Sequence, residues 1–293
     1  MISFMQPPVC LQSAKIAFRM PFSEKRDHLV PVRTAGGKSP LFFILPGPPG
    51  SFEFIDLLPE DQPVYDLYFI RFFGTESFPS VEEIALIFLN ELRTVQPHGP
   101  YQLCGYSKAG LVAYEMARVL LSQGEDVSFL ALIETWHPKF EKNLTRNEYL
   151  RFRFLYFVDR FAKYGRKLVQ GNLLGIASET SAQLIKKAKL LGWRIIRQYF
   201  GGQGQPIPQA MQQAESIVVL RSFAPKPLSK RFMLIRTNNP FERKLSDPTL
   251  GWDICATEGV EVQFVSGDPD HGTIVTKPHV CDVIGKIAPH LSA

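Results

Sequence analysis

At 293 residues, with 45% hydrophobic and 21% charged residues and a net charge of +5, the chain has the composition of a soluble globular protein of one large α/β domain or two small ones. No apolar run approaches about 18 residues, so no membrane span is expected, and MISFMQPPVCLQSAKIAFRM lacks the basic start and continuous apolar core of a secretion signal. Cys10, Cys104, Cys255 and Cys281 show no C-x-x-C spacing, which argues against zinc and a disulfide scaffold and makes the cytoplasm the expected compartment.

Residues 1–38 read as polar and irregular, ending in the turn-like AGGKSP. PLFFILPG then reads as a buried strand closed by Pro and Gly, and VYDLYFIRFFG (64–74) as a second. SVEEIALIFLNELRTVQP has helical periodicity and opens with Ser80 and Glu83 in capping-box spacing. YQLCGY predicts a short strand, KAGLVAYEMARVLLSQG an amphipathic helix ended by Gly124, and VSFLALIET another buried strand. Alternating buried strands and amphipathic helices predict a mostly parallel sheet covered on both faces.

From 137 to 212 the alternation stops, and only helical stretches rich in aromatic and basic residues follow. It resumes with SIVVLRSFAP, RFMLIRTNN (231–239) and VEVQFVSGDPDHG, the last read as a buried strand before the histidine, and ends in a helix, KPHVCDVIGKIAPHL. The expected organisation is an extension at 1–28, an α/β core at 29–136 and 213–293, and a helical insertion at 137–212, far longer than an ordinary connection. An insertion at the carboxyl end of such a sheet sits over the usual ligand crevice, which makes it a lid candidate. Residues 139–200 carry 14 Lys and Arg against 4 Asp and Glu, leaving the rest of the chain at −5. That face is either solvated or a dock for an anionic partner. No recognition motif accompanies the charge, so nucleic acid is not expected.

The chemistry centres on Cys104-Gly105-Tyr106-Ser107-Lys108-Ala109-Gly110, close to the nucleophile elbow G-x-S-x-G. Ser107 lies between a strand and a helix, where the turn exposes the hydroxyl and aims the Lys108 N–H at a tetrahedral oxyanion. Gly105 supplies the required slimness, and Ala109 adds one methyl where a second glycine is usual. A second oxyanion donor is expected from Leu45-Pro46-Gly47-Pro48-Pro49-Gly50; between 46 and 49 only Gly47 has an N–H.

Of six histidines, His28 and His98 precede the serine, against the chain order serine, acid, histidine. His137 sits just past a strand, and His279 and His290, in the last helix, read as packing or surface residues; His271, in the loop SGDPDHGT after a strand, is the expected base. Glu134, directly after the apolar FLALI, is the expected acid. Asp247 and Asp253 are its rivals, while Asp268 and Asp270 read as shaping their own turn.

These residues resemble the α/β-hydrolase thioesterases of nonribosomal peptide and polyketide synthesis. PLFFILPGPPGSF resembles the oxyanion strand and loop. The run from VEEIALIFLNEL through VQPHGPYQLCGYSKAG to FLALIET resembles the central segment, and LGWD with VSGDPDHGTIVTKPHV the histidine loop and last helix. The resemblance implies an α/β-hydrolase fold and a triad of Ser107, Glu134 and His271, with the N–H groups of Gly47 and Lys108 as oxyanion hole. Aspartate is usual where Glu134 stands.

It further implies hydrolysis of a polyketide, peptidyl or fatty acyl thioester through an acyl-serine. The substrate would come from an acyl carrier protein or CoA on phosphopantetheine, with no cofactor or metal of the protein's own. Arg151, Arg153, Arg160 and Lys163, among the aromatics of the insertion, are candidate contacts for the phosphopantetheine phosphate or the carrier. The first 40 residues contain no G-x-[DH]-S-[LI] attachment motif, so a free-standing enzyme is expected. A cyclase or acyltransferase, a carboxylester hydrolase and a non-catalytic carrier-binding subunit are the alternatives.

Overall fold

A computed structural model describes residues 28–46, 54–69, 78–169, 209–238 and 247–291. Its centre is a seven-stranded sheet of β1 (Leu29–Arg33), β2 (Leu41–Leu45), β3 (Val64–Tyr68), β4 (Tyr101–Tyr106), β5 (Val127–Ile133), β6 (Phe232–Arg236) and β7 (Val260–Phe264). The spatial order is β1-β3-β2-β4-β5-β6-β7, with β1 antiparallel to β3 and every other pair parallel. The chain steps outward from β2 to β3, then returns across β2 to β4. That reversal opens a crevice at the carboxyl ends of β2 and β4, where ligands of such sheets bind.

The buried strands alternate sides because successive side chains point to opposite faces. Phe42, Ile44, Leu103, Leu130, Leu132 and Leu234 join one core, under α1 (Val81–Leu92) and α2 (Ala109–Ser122). Phe43, Leu45, Cys104, Tyr106, Ala131, Ile133 and Ile235 join the other, against Val280, Val283, Ile284 and Ile287 of a C-terminal helix. The capping box predicted for α1 is formed: Ser80 Oγ accepts from the Glu83 N–H at 3.2 Å, and the Ser80 N–H donates to the Glu83 carboxylate at 2.8 Å. Two orphan donors of the first turn are thereby satisfied.

Three expectations change. Leu29–Arg33, expected to be irregular, is an edge strand; Pro31 obscured it, and an edge with a register shift between Pro31 and Arg33 tolerates a residue without an N–H. SIVVLRSFAP, read with the strands, instead supplies the end of a helix at Gln209–Ser222. Ser216, Leu220 and Phe223 are buried at helical spacing while Val218 is exposed, so the short apolar run packs one face rather than two. The strand before His271, expected to be buried, is β7, a half-buried edge.

Between β5 and β6 lie α3 (Phe140–Asn143), α4 (Arg146–Val169) and α5 (Gln209–Ser222); α6 (His279–Ile287) closes the chain. Among the described residues no helix is long and apolar enough to cross a membrane.

Candidate active site

Ser107 follows β4 directly with φ 56°, a left-handed conformation that a non-glycine residue adopts only when its surroundings impose it. Three hydrogen bonds do so. The Ser107 N–H donates to Ile133 O at 2.8 Å, its carbonyl accepts from the Gly110 N–H at 3.1 Å, and the Thr135 hydroxyl donates to the same carbonyl at 2.9 Å. Close packing completes the turn. A Cβ on Gly105 would lie 2.6 Å from Gly110 Cα, and one on Gly110 would lie 2.0 Å from Thr135 Oγ1. The tight approach after the serine thus falls on Gly110, while the methyl of Ala109 is fully buried in the core around α2. Lys108 is the N-cap of α2, so the positive end of that helix lies at the serine.

Glu134 ends β5 as Ser107 ends β4, again with positive φ, 49°, and with its N–H on Ile235 O at 2.8 Å. The side chain is buried, and a buried carboxylate needs partners. Oε1 accepts the Thr237 N–H at 2.6 Å, and Oε2 lies 3.4 Å from His271 Nδ1. The longer side chain spans the end of β6 to reach the ring, which absorbs the extra methylene relative to aspartate. His271 Nε2 is 2.9 Å from Ser107 Oγ, and its side chain is 52% exposed where that of Glu134 is 1% exposed. The ring thus lies between the carboxylate on its Nδ1 side and the Ser107 hydroxyl on its Nε2 side.

The other acids and histidines are engaged elsewhere. Asp247 accepts the N–H groups of Thr249 and Gly251 at 2.7 and 2.5 Å, and Asp253 meets Thr249 Oγ1 at 3.4 Å. Asp270 folds its own turn by accepting the Gly272 and Thr273 N–H groups, both at 2.9 Å. His28 bonds Tyr68 O, His98 pairs with Glu125, and His290 stacks on Phe129. His137 is buried, and that burial, followed by the Lys139 charge, lowers its pKa to about 4. It is a neutral ring whose Nδ1 accepts the Lys139 N–H at 3.2 Å.

Gly47 lies outside the described residues. Arg151 and Arg153 are exposed on α4; Arg160 and Lys163 fall on the same helix, with side chains outside those described. Leu150, Phe154, Phe157 and Phe161 recur at helical spacing along α4 and are 56–71% exposed. Sequence reasoning missed Thr135 and Tyr106. The period-two alternation that puts Tyr106 on the α6 face was the available signal.

This sheet order, with a serine on a strained strand-to-helix turn, defines an α/β-hydrolase fold. Residues 54–169 match the Thioesterase domain family, a stretch that includes Ser107 and Glu134. The malpinin synthetase of Mortierella alpina is 40% identical over 116 residues, 38% of this chain and 2% of that protein. The atromentin synthetase of Tapinella panuoides is 38% identical over 111 residues, 36% of this chain and 12% of that protein. The matched stretch is thus a small part of these synthetases. The crystal structure of the NocB thioesterase domain in covalent complex with a fluorophosphonate nocardicin G analog aligns over 90% of this chain and 100% of that one, with TM-score 0.58 and 19% identity. The chain resembles the thioesterase domains of nonribosomal peptide and polyketide synthases in fold and in this segment.

Proposed function

We propose that the protein is a serine-dependent thioesterase that releases an acyl group from phosphopantetheine on a carrier protein or CoA. The observation that carries this reading is the relay from buried Glu134 through His271 to Ser107, with contacts of 3.4 and 2.9 Å. The match to thioesterase domains supports thioester hydrolysis or release as its chemistry.

In this reading Ser107 Oγ attacks the thioester carbonyl while its proton passes to His271 Nε2. Glu134 holds Nδ1–H and offsets the charge of the imidazolium. The carbonyl oxygen, now negative, is received by the N–H of Lys108 at the head of α2 and by that of Gly47. Collapse of the tetrahedral intermediate breaks the C–S bond, and the thiolate takes the proton from His271. Water then attacks the acyl-serine with His271 again as base, giving the free acid and restoring Ser107. Thiolates leave readily, so positioning and oxyanion binding carry most of the catalysis.

The insertion at 137–212 serves as the lid. The exposed apolar row of α4 supports a role in covering a polyketide, peptidyl or fatty acyl chain. Arg151, Arg153, Arg160 and Lys163 meet the phosphate of phosphopantetheine or an acidic carrier. The thiols of Cys104 and Cys255 support a reducing, cytoplasmic setting.

Intact-mass spectrometry with a fluorophosphonate, then with matched carrier thioesters, CoA thioesters and oxyesters, tests the reading. Wild type is expected to gain one label and Ser107→Ala none, with thioesters turned over fastest. Unlabelled wild type or equal labelling of Ser107→Ala overturns the serine. Preference for oxyesters overturns the thioesterase, and a cyclic product in place of free acid identifies an internal acceptor instead of water.

A further inference from the structure

His271 hangs on a loop and is half exposed, yet its Nε2 meets Ser107 within hydrogen-bond distance. Glu134 holds one edge of the ring, which leaves the backbone of His271 and the tilt of the ring to be fixed by something else. The last residue of β4 does both. The Tyr106 hydroxyl donates to the backbone carbonyl of His271, 165 residues away in sequence. The Tyr106 and His271 rings are nearly parallel, with centroids 5.3 Å apart and planes at 22°.

The sheet dictates this placement. Gly105 faces α2 and Tyr106 the opposite side, the face covered by α6. The loop that carries His271 is the connection from β7 into α6, so it passes over that face. Burial, then the negative charges of Glu134 and Asp270, push the Tyr106 phenol well above its ordinary pKa. The phenol therefore keeps its proton around neutral pH and remains a donor there.

We propose that Tyr106 is a positioning residue for the reaction: its hydroxyl anchors the His271 backbone, and its ring is the shelf that holds the imidazole against Ser107. The residue beside the nucleophile thus reaches the base as well, and one strand end sets the distance between them. This rests on the reading of His271 as the base. The anchor is a single hydrogen bond to an exposed loop, and the packing of the buried Tyr106 ring in the core does not depend on it, so removing the anchor loosens geometry more than it unfolds the protein.

Tyr106→Phe keeps the ring and deletes the donor. Relative to wild type, kcat and the rate of fluorophosphonate labelling are expected to fall together by about five- to tenfold, the size of one hydrogen bond of ordinary strength. KM and Tm are expected to stay unchanged. Tyr106→Leu, which also removes the shelf, is expected to lose more of both rates, so that Phe is a partial rescue of Leu.

Tyr114→Phe is the control. It removes another hydroxyl-to-carbonyl bond, to Lys226 O at 2.8 Å on the other face, and is expected to affect Tm without slowing labelling. If Tyr106→Phe labels and turns over like wild type, or loses Tm with kcat intact, the positioning role is overturned while the thioesterase reading stands. If wild type is neither labelled nor active on thioesters, both fall.

Discussion

The proposed nucleophile and the proposed base come from regions built on opposite plans. The elbow after β4 is held from all sides: three hydrogen bonds fix the Ser107 backbone, and two glycines let β4, α2 and the end of β5 approach closely. The histidine loop is open to solvent and is tied down at separate points. Tyr106 holds its middle, while Asp282 Oδ2 accepts the Ser266 N–H at 2.6 Å and His279 Nδ1 donates to Ser266 O at 3.2 Å at its start. The elbow is therefore inherited from the core, whereas the loop depends on a few named bonds. Damage to the first should cost fold and rate together; damage to the second should cost rate with little loss of fold.

The largest effect is expected where the two regions meet. Glu134→Gln keeps the acceptor for Thr237 but removes the charge opposite His271, and kcat should fall by about three orders of magnitude or more. Near-normal turnover would move the acid's role to Asp247 or Asp253. Next, Gly110→Ala tests the elbow: its methyl would sit 2.0 Å from Thr135 Oγ1. Strain of this kind costs about 1–3 kcal/mol, so thermal scans should show Tm lower by several degrees together with a tenfold or larger loss of kcat. A lost rate with an unchanged Tm would break the contrast.

The smallest effect is expected at the loop's start. Burial raises the Asp282 pKa, but the Ser266 N–H and Lys286, 3.2 Å away, outweigh it and hold the carboxyl below its ordinary range. A depressed folded-state pKa stabilises above the unfolded value of about 3.9 and is lost as pH falls through the folded value. Asp282→Asn should therefore lower kcat severalfold at pH 7 with little change in Tm. Its small Tm deficit should begin to shrink below about pH 4 and vanish only once pH has fallen through the depressed folded-state value, as read by melting curves across pH. A deficit that grows toward acid would contradict the assignment.

How far the sequence carried depended on the range of the interactions. The capping box of α1 was legible because Ser80 and Glu83 are three residues apart. Glu134 stood out because a carboxylate after FLALI has no packing reason to be there. SIVVLRSFAP misled because a short apolar run fits a buried strand or one face of a helix equally well, and the partners of Leu220 and Phe223 lie elsewhere in the chain. Thr135 was invisible and Tyr106 was signalled only by its period-two placement, because their contacts are to atoms brought near only by the finished sheet. The strain at Ser107 and Glu134 was equally hidden, since neither is the glycine that advertises a positive φ.

The outer strand β1 has a consequence far from any chemistry. Pro31 offers no N–H, and the register shift between Pro31 and Arg33 interrupts the ladder. Another molecule approaching that side finds no continuous row of donors and acceptors on which to lay a strand of its own. At high protein concentration, a β1 edge of this kind resists growth by strand addition and lowers the hazard of aggregation there.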